Sequence, residues 1–268
     1  MAMTDKLINL QNVGAGQVAI LTVPCSVTYD KIHLKLGGGL VAADIAKIEG
    51  KANGKTFYVD TGTFVQKRQA YKGIYVQAGV VTLDFTEPNA RGGAVPQYMA
   101  SIPANLLSNL VFEITISGAA NALSTLLATA EYRAPTQNPY IRKMILMNAA
   151  LPSVGDNDLF LPSGMSGGLV KRIWLHGNDR LTQYDLRVDK TTKRFQTKFD
   201  WLNEQNENKL VPQTGLDVID FMADGNVQGM LNTAGDGKHI PEIQLRATVS
   251  AAETMAIYLE YIDPIGRL

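Results

Sequence analysis

Short apolar runs that stop at turn residues recur along the whole chain. Residues 17–23 (QVAILTV) stop at Pro24, residues 31–36 (KIHLKL) alternate and stop at Gly37-Gly38-Gly39, and residues 80–85 (VVTLDF) end near Pro88. Residues 111–116 (VFEITI) end at Ser117-Gly118, and residues 126–132 end before Pro135. The same character returns at 172–175, 184–188, 216–221, 243–249 and 255–262. Runs of this length, rich in Val, Ile, Thr, Phe and Tyr and bounded by Gly and Pro, are strand signals. Helical patterning is confined to 64–71, 99–107 and 201–206. The pattern predicts an all-β chain with a few short helices in its connections.

The runs also repeat. Residues 16–24 (GQVAILTVP) line up with 155–162 (GDNDLFLP), and Lys31-Ile32-His33-Leu34 lines up with Arg172-Ile173-Trp174-Leu175. Lys47-Ile48-Glu49 matches Arg187-Val188-Asp189, Phe57 matches Phe195, and Phe64-Val65 matches Trp201-Leu202. Residues 79–85 (GVVTLDF) match 215–221 (GLDVIDF) without a gap, 112–117 (FEITIS) match 245–250 (LRATVS), and Glu131-Tyr132 matches Glu260-Tyr261. The offset drifts smoothly from about 140 to 129 in unbroken chain order, as an internal duplication requires. About eight strands per half suit an eight-stranded jelly roll, two sheets packed face to face. The expected architecture is two tandem jelly rolls, residues 1–134 and 141–268, with the proline-bearing segment 135–140 as linker.

Composition narrows the function. The 268 residues are 46% hydrophobic, ample for packed cores, and carry 25 Lys+Arg against 25 Asp+Glu. Charged residues make up only 19% of the chain and their net charge is zero, which argues against a protein that wraps nucleic acid through phosphate contacts. Sparse, balanced charge instead suits a surface largely buried against copies of itself. One cysteine, Cys25, excludes an internal disulfide and a Cys-based zinc site. The opening residues lack the apolar core of a secretory signal, and the most apolar stretch, 94–112, is broken by Pro96 and Pro103. Folding in a reducing cytoplasm is expected.

Several patterns imitate chemistry. Gly164-Met165-Ser166-Gly167-Gly168 fits the nucleophile-elbow pattern, and Asp220 or Asp224, His239 and the Gly37–Gly39 loop could be added to it in hydrolase order. No helical pattern follows Gly168, however, and the repeat makes the segment a Gly/Ser turn. Gly54-Lys55-Thr56 resembles the end of a phosphate-binding loop, but Gly50 lies one residue too close; Asn53-Gly54 reads better as a hairpin turn. A two-domain cupin would need clustered histidines, whereas His33, His176 and His239 are scattered. Asp156-Asn157-Asp158 is read as an oxygen-rich turn, which makes Asp156 and Asp158 weak calcium candidates. Cys25 has no basic neighbour in sequence and reads as an inert thiol. No catalytic residue and no organic cofactor is expected.

The segment from Asn9 to Gly16, followed by Pro24, Tyr29 and Ile32, resembles the N-terminal stretch of the corticovirus major capsid protein. So do Ala78-Gly79-Val80-Val81, Phe85 and Pro88, and the closing Glu260-Tyr261. Corticoviruses are tailless icosahedral bacteriophages with a membrane inside the shell. The resemblance implies upright double jelly rolls, three chains per pseudo-hexagonal capsomer, and capsomers tiled over a lipid vesicle after assembly in the host cytoplasm. The implied partners are further copies of the chain, minor capsid or membrane proteins of the virion and, peripherally, lipid, without direct nucleic-acid binding; calcium often accompanies such shells. The competing reading is a jelly-roll protein, cupin- or lectin-like, that binds a small molecule or sugar.

Overall fold

A computed structural model of the chain describes residues 3–7, 10–162, 168–233 and 241–267. Alternation of side chains is the local cause of the architecture. In the strand Leu110–Ile116 every second residue is buried (Leu110, Phe112, Ile114, Ile116), and Ile243–Val249 repeats this with Ile243, Leu245, Ala247 and Val249. Such strands have one apolar face, which must be covered by a second sheet.

The first half contains β1 (Met3–Lys6), β2 (Val18–Thr22), β3 (Thr28–Gly37), β4 (Ile45–Ala52), β5 (Lys55–Asp60), α1 (Gly62–Tyr71), β6 (Val80–Asp84), α2 (Ala94–Tyr98), β7 (Ile102–Pro103), β8 (Leu110–Ile116) and β9 (Thr125–Arg133). Its sheets run β1-β9-β3-β6, with β7 beside β3, and β2-β8-β4-β5. The second half contains β10 (Tyr140–Leu151), β11 (Gly155–Leu161), β12 (Leu169–His176), β13 (Leu181–Val188), β14 (Thr191–Thr197), α3 (Lys198–Glu207), β15 (Leu216–Asp220), β16 (Leu231–Asn232), β17 (Ile243–Val249) and β18 (Glu253–Pro264). There the orders are β10-β18-β12-β15, with β16 beside β12, and β11-β17-β13-β14. Setting the two-residue strands aside, the two halves have the same strand order in both sheets. Each is an eight-stranded jelly roll.

The aligned segments fall in the same place in each half. Residues 79–85 and 215–221 hold β6 and β15, residues 31–34 and 172–175 lie in β3 and β12, and residues 112–117 and 245–250 overlap β8 and β17. Both principal helices follow the fifth strand and both are capped by threonine. Thr61 Oγ1 accepts from Phe64 N at 3.2 Å, and Thr197 forms a capping box with Asp200.

By its contacts the chain divides into two units, Met1–Ala70 with Ile74–Met144 and Pro264–Leu268, and Tyr71–Gly73 with Ile145–Asp263. In the first, Ile265 N donates to Pro139 O at 2.7 Å and Lys143 Nζ to Arg267 O at 3.0 Å. In the second, a core of Ile173, Leu175, Leu245, Ile257 and Leu259 joins Tyr184 and Trp201, whose rings lie 5.5 Å apart.

Two local expectations are corrected. The helix expected over 99–107 is instead β7 and a 3-10 turn at Ala104–Leu106, with the helix α2 just upstream. Pro103, lacking an N–H, cannot sit inside a helix and serves on the short strand β7. Asp156-Asn157-Asp158 is not a turn but lies within β11, paired along its length with β17.

Candidate assembly surface

One β-bulge occurs twice and organises the polar residues of the chain. In the first unit β3 and β9 pair in register up to Lys31↔Glu131, slip by one residue, and resume at Tyr29↔Tyr132. In the second, β12 and β18 pair up to Arg172↔Glu260, slip identically, and resume at Val170↔Tyr261. The extra residue is Asp30 in one and Lys171 in the other. A bulge breaks the in-and-out alternation, so polar residues are brought to a glutamate on the neighbouring strand.

In the second unit that glutamate is the centre of a buried network. Lys171 Nζ donates to Glu260 Oε1 at 2.9 Å and Trp174 Nε1 to Oε2 at 2.8 Å, and Arg172 Nη1 lies 3.8 Å from Oε2. Arg172 Nε also donates to Asp220 Oδ2 at 2.8 Å, and the Tyr71 hydroxyl donates to the same oxygen at 3.2 Å. Burial, with Asp220 beside it, pushes the Tyr71 phenol well above its ordinary pKa, so it remains a donor. Two cations face two carboxylates, and the Lys171 and Glu260 side chains are 0% exposed.

In the first unit the equivalent glutamate, Glu131, accepts from Lys31 Nζ at 3.1 Å and lies 3.1 Å from His33 Nε2; His33 Nδ1 lies 2.9 Å from Thr82 Oγ1. Desolvation works against the Glu131 carboxylate, yet the Lys31 and His33 contacts hold it below the usual range. The bulge residue Asp30 turns to Ser101, at 2.7 Å, and to Arg133 Nε, at 3.0 Å. Here the ion pair is open to solvent, with Lys31 and Glu131 side chains 31% and 28% exposed. His33 thus lies on the strand face that the repeat assigns to it, opposite Thr82 and Glu131.

The remaining candidates are dispersed. Ser166 and His239 lie outside the described residues. Asp220 is engaged by Arg172 and Tyr71, and Asp224 accepts from Asn226 N in a turn. Asn53 and Gly54 form a hairpin tip at φ of 52° and 78°, pinned by Ser108 N donating to Asn53 Oδ1 at 2.7 Å. Asp158 is gripped by Arg246 through two bonds of 2.8 and 3.1 Å, Asp156 accepts from Thr248 at 2.7 Å, and Asn157 is buried on the opposite side of β11. Among the described residues no group of three or more His, Cys, Asp or Glu is placed to hold a metal ion. His176 is buried edge-on against Tyr258. Cys25 is half-buried, and burial raises its thiol pKa. The Lys171–Arg172–Glu260 network was not singled out from sequence; its signals were the consecutive cations on a strand that feeds the core and the repeat that aligns Glu131 with Glu260.

Family models cover nearly the whole chain. That of the viral coat protein P2 N-terminal domain matches residues 4–133, and that of the P2 C-terminal domain matches residues 141–265. The major capsid protein P2 of bacteriophage PM2 has a similar fold, with a TM-score of 0.90 and 21% identity over 98% of each chain. A chain in the atomic structure of Sulfolobus turreted icosahedral virus aligns with a TM-score of 0.73 and 16% identity, over 99% of this chain and 92% of that one. A chain of the PBCV-1 virus capsid aligns at 0.66 and 10%, over 98% and 93%. No curated protein matches by sequence. With both halves matched in order, the chain belongs to the viral coat protein P2 family.

Proposed function

We propose that the chain acts as a homotrimeric capsomer that tiles an icosahedral shell over an internal membrane, with residues 1–134 and 141–268 as its two jelly rolls and 135–140 as the joint. The observation that carries this reading is the identity of strand order in the two halves. Two similar but unequal rolls cannot close a ring alone, whereas three chains supply six around one axis. Each contact then joins unlike surfaces and closes at three. Self-association follows from the coat-protein family, and the balanced charge leaves little repulsion between copies.

In the same reading assembly takes place in the host cytoplasm, and minor capsid or membrane proteins mediate attachment to lipid. Among the described residues no helix is long and apolar enough to cross a membrane. Asp158 is better understood as half of an ion pair with Arg246 than as a calcium ligand. Light scattering on the purified chain is expected to report three times the chain mass. A monomer persisting at high concentration and moderate salt would overturn the proposal.

A further inference from the structure

The duplicated bulge identifies a surface that is covered in one unit and open in the other. Val80, which begins β6, aligns with Leu216, which begins β15, an offset of 136 residues. By this offset Asp84 corresponds to Asp220, Tyr75 to Val211, and Tyr71 to Glu207. In the second unit the face bearing Arg172, Trp174 and Glu260 is closed. The Tyr71 ring stands edge-on to Trp174 with 5.3 Å between centroids, and its carbonyl accepts from Val211 N at 2.8 Å.

The same face of the first unit carries Lys31, His33 and Lys35 as a basic stripe on β3, beside Glu131. Its cluster is part-exposed, and Tyr75, in the place of Val211, is 85% exposed. Asp84 is turned back onto Thr86, whose hydroxyl donates to it at 2.7 Å. At Tyr71's place in the repeat the second unit has Glu207, an exposed carboxylate at the C-terminal end of α3. Phe199 and Asn203 precede it at helical spacing on the same exposed side. The exchange is complementary: where one unit sets Tyr71 against Trp174, the repeat offers Glu207 for His33 and its lysine neighbours.

Resting on the capsomer reading above, we infer that the end of α3 from a second copy of the chain covers the outer face of β3 and β9 in the first unit. Glu207 of one chain lies over His33 and Lys31 of the next, and Tyr75 meets the residues that follow α3. Each chain offers one open face and one covering helix, so the contact is heterologous, and in the trimeric capsomer proposed above it closes after three chains.

The test is cross-linking of the intact chain in a Cys25→Ala background. The double variant His33→Cys, Glu207→Cys, treated with a short bismaleimide, is expected to give covalent dimers and trimers on denaturing gels, and each single variant only monomers. Light scattering on the same samples reads the oligomer. A trimer that gives no more linkage than the single variants overturns the inferred contact and leaves the capsomer reading standing; an unsubstituted chain that is monomeric overturns both. As an independent measure, Tyr75→Asp alters an exposed side chain and is expected to shift the mass threefold, from trimer to monomer. A persisting trimer counts against the contact.

Discussion

Glu131 and Glu260 occupy equivalent positions opposite the same bulge, each paired with a lysine, one part-exposed and one buried, which makes them a comparison for the energetics of buried charge. Replacing Glu260 with Gln preserves its volume and an acceptor for Trp174 Nε1, but removes the charge facing Lys171. The ammonium of Lys171, 0% exposed, would be left without its 2.9 Å partner charge. Breaking a buried pair from one side costs about 3–5 kcal/mol, because the remaining ion keeps its desolvation penalty. Glu131→Gln breaks a pair that is open to water and should cost about 0–1 kcal/mol. With a urea slope of about 1–3 kcal/mol per molar, E260Q should lower the unfolding midpoint by at least about 1 M. Both tryptophans, Trp174 and Trp201, lie in the second unit, so their fluorescence reports its unfolding, and far-ultraviolet circular dichroism follows the whole chain. If E260Q and E131Q lower stability equally, by less than about 1 kcal/mol, the reasoning from buried charge is refuted.

Two further outcomes follow from single sites. Burial, only partly offset by Lys198 and reinforced by Asp179 and Glu253, raises the Asp217 carboxyl from 3.8 to about 6. The folded state therefore holds a proton that the unfolded chain has lost between those values, so stability falls as pH rises through this window, by about 3 kcal/mol at most. Asp217→Asn should remove that slope, raising the urea midpoint at pH 8 but hardly at pH 4; parallel profiles for the two proteins would contradict the assignment. Gly38 has φ of +63°, and an added Cβ would stand 1.9 Å from Leu123 O, so Gly38→Ala should destabilise the first unit by about 1 kcal/mol or more, read as a lower melting temperature.

Strands with one wet face declared themselves in the sequence: β8 and β17 alternate strictly, and their turns are marked by Gly and Pro. The duplication was legible for the same reason, since its best matches are such strands. β10 was not among the strand runs, because Arg142 and Lys143 interrupt its apolar pattern; both are nevertheless buried, and Arg142 Nη1 donates to the Asp84 carbonyl. Asp156 and Asp158 imitated a turn because composition does not reveal pairing; in β11 they face Thr248 and Arg246 across the ladder. The candidate surface was half legible. The match of Glu131-Tyr132 with Glu260-Tyr261 located the shared position, but a one-residue slip in register leaves no mark in a single strand's sequence. Only with β3 beside β9, and β12 beside β18, does Lys171 become a partner of Glu260.

The division of the chain into units also sets a timetable for its synthesis. Tyr71–Gly73 belong to the second unit, and Pro264–Leu268 return to the first. A ribosome making this chain releases the strands of the first roll long before the segment whose Ile265 N bonds to Pro139 O has been polymerised. The eight strands of the first roll are thus complete while the second is still being translated, but Ile265 N reaches Pro139 O, and Tyr71 meets Trp174, only afterwards.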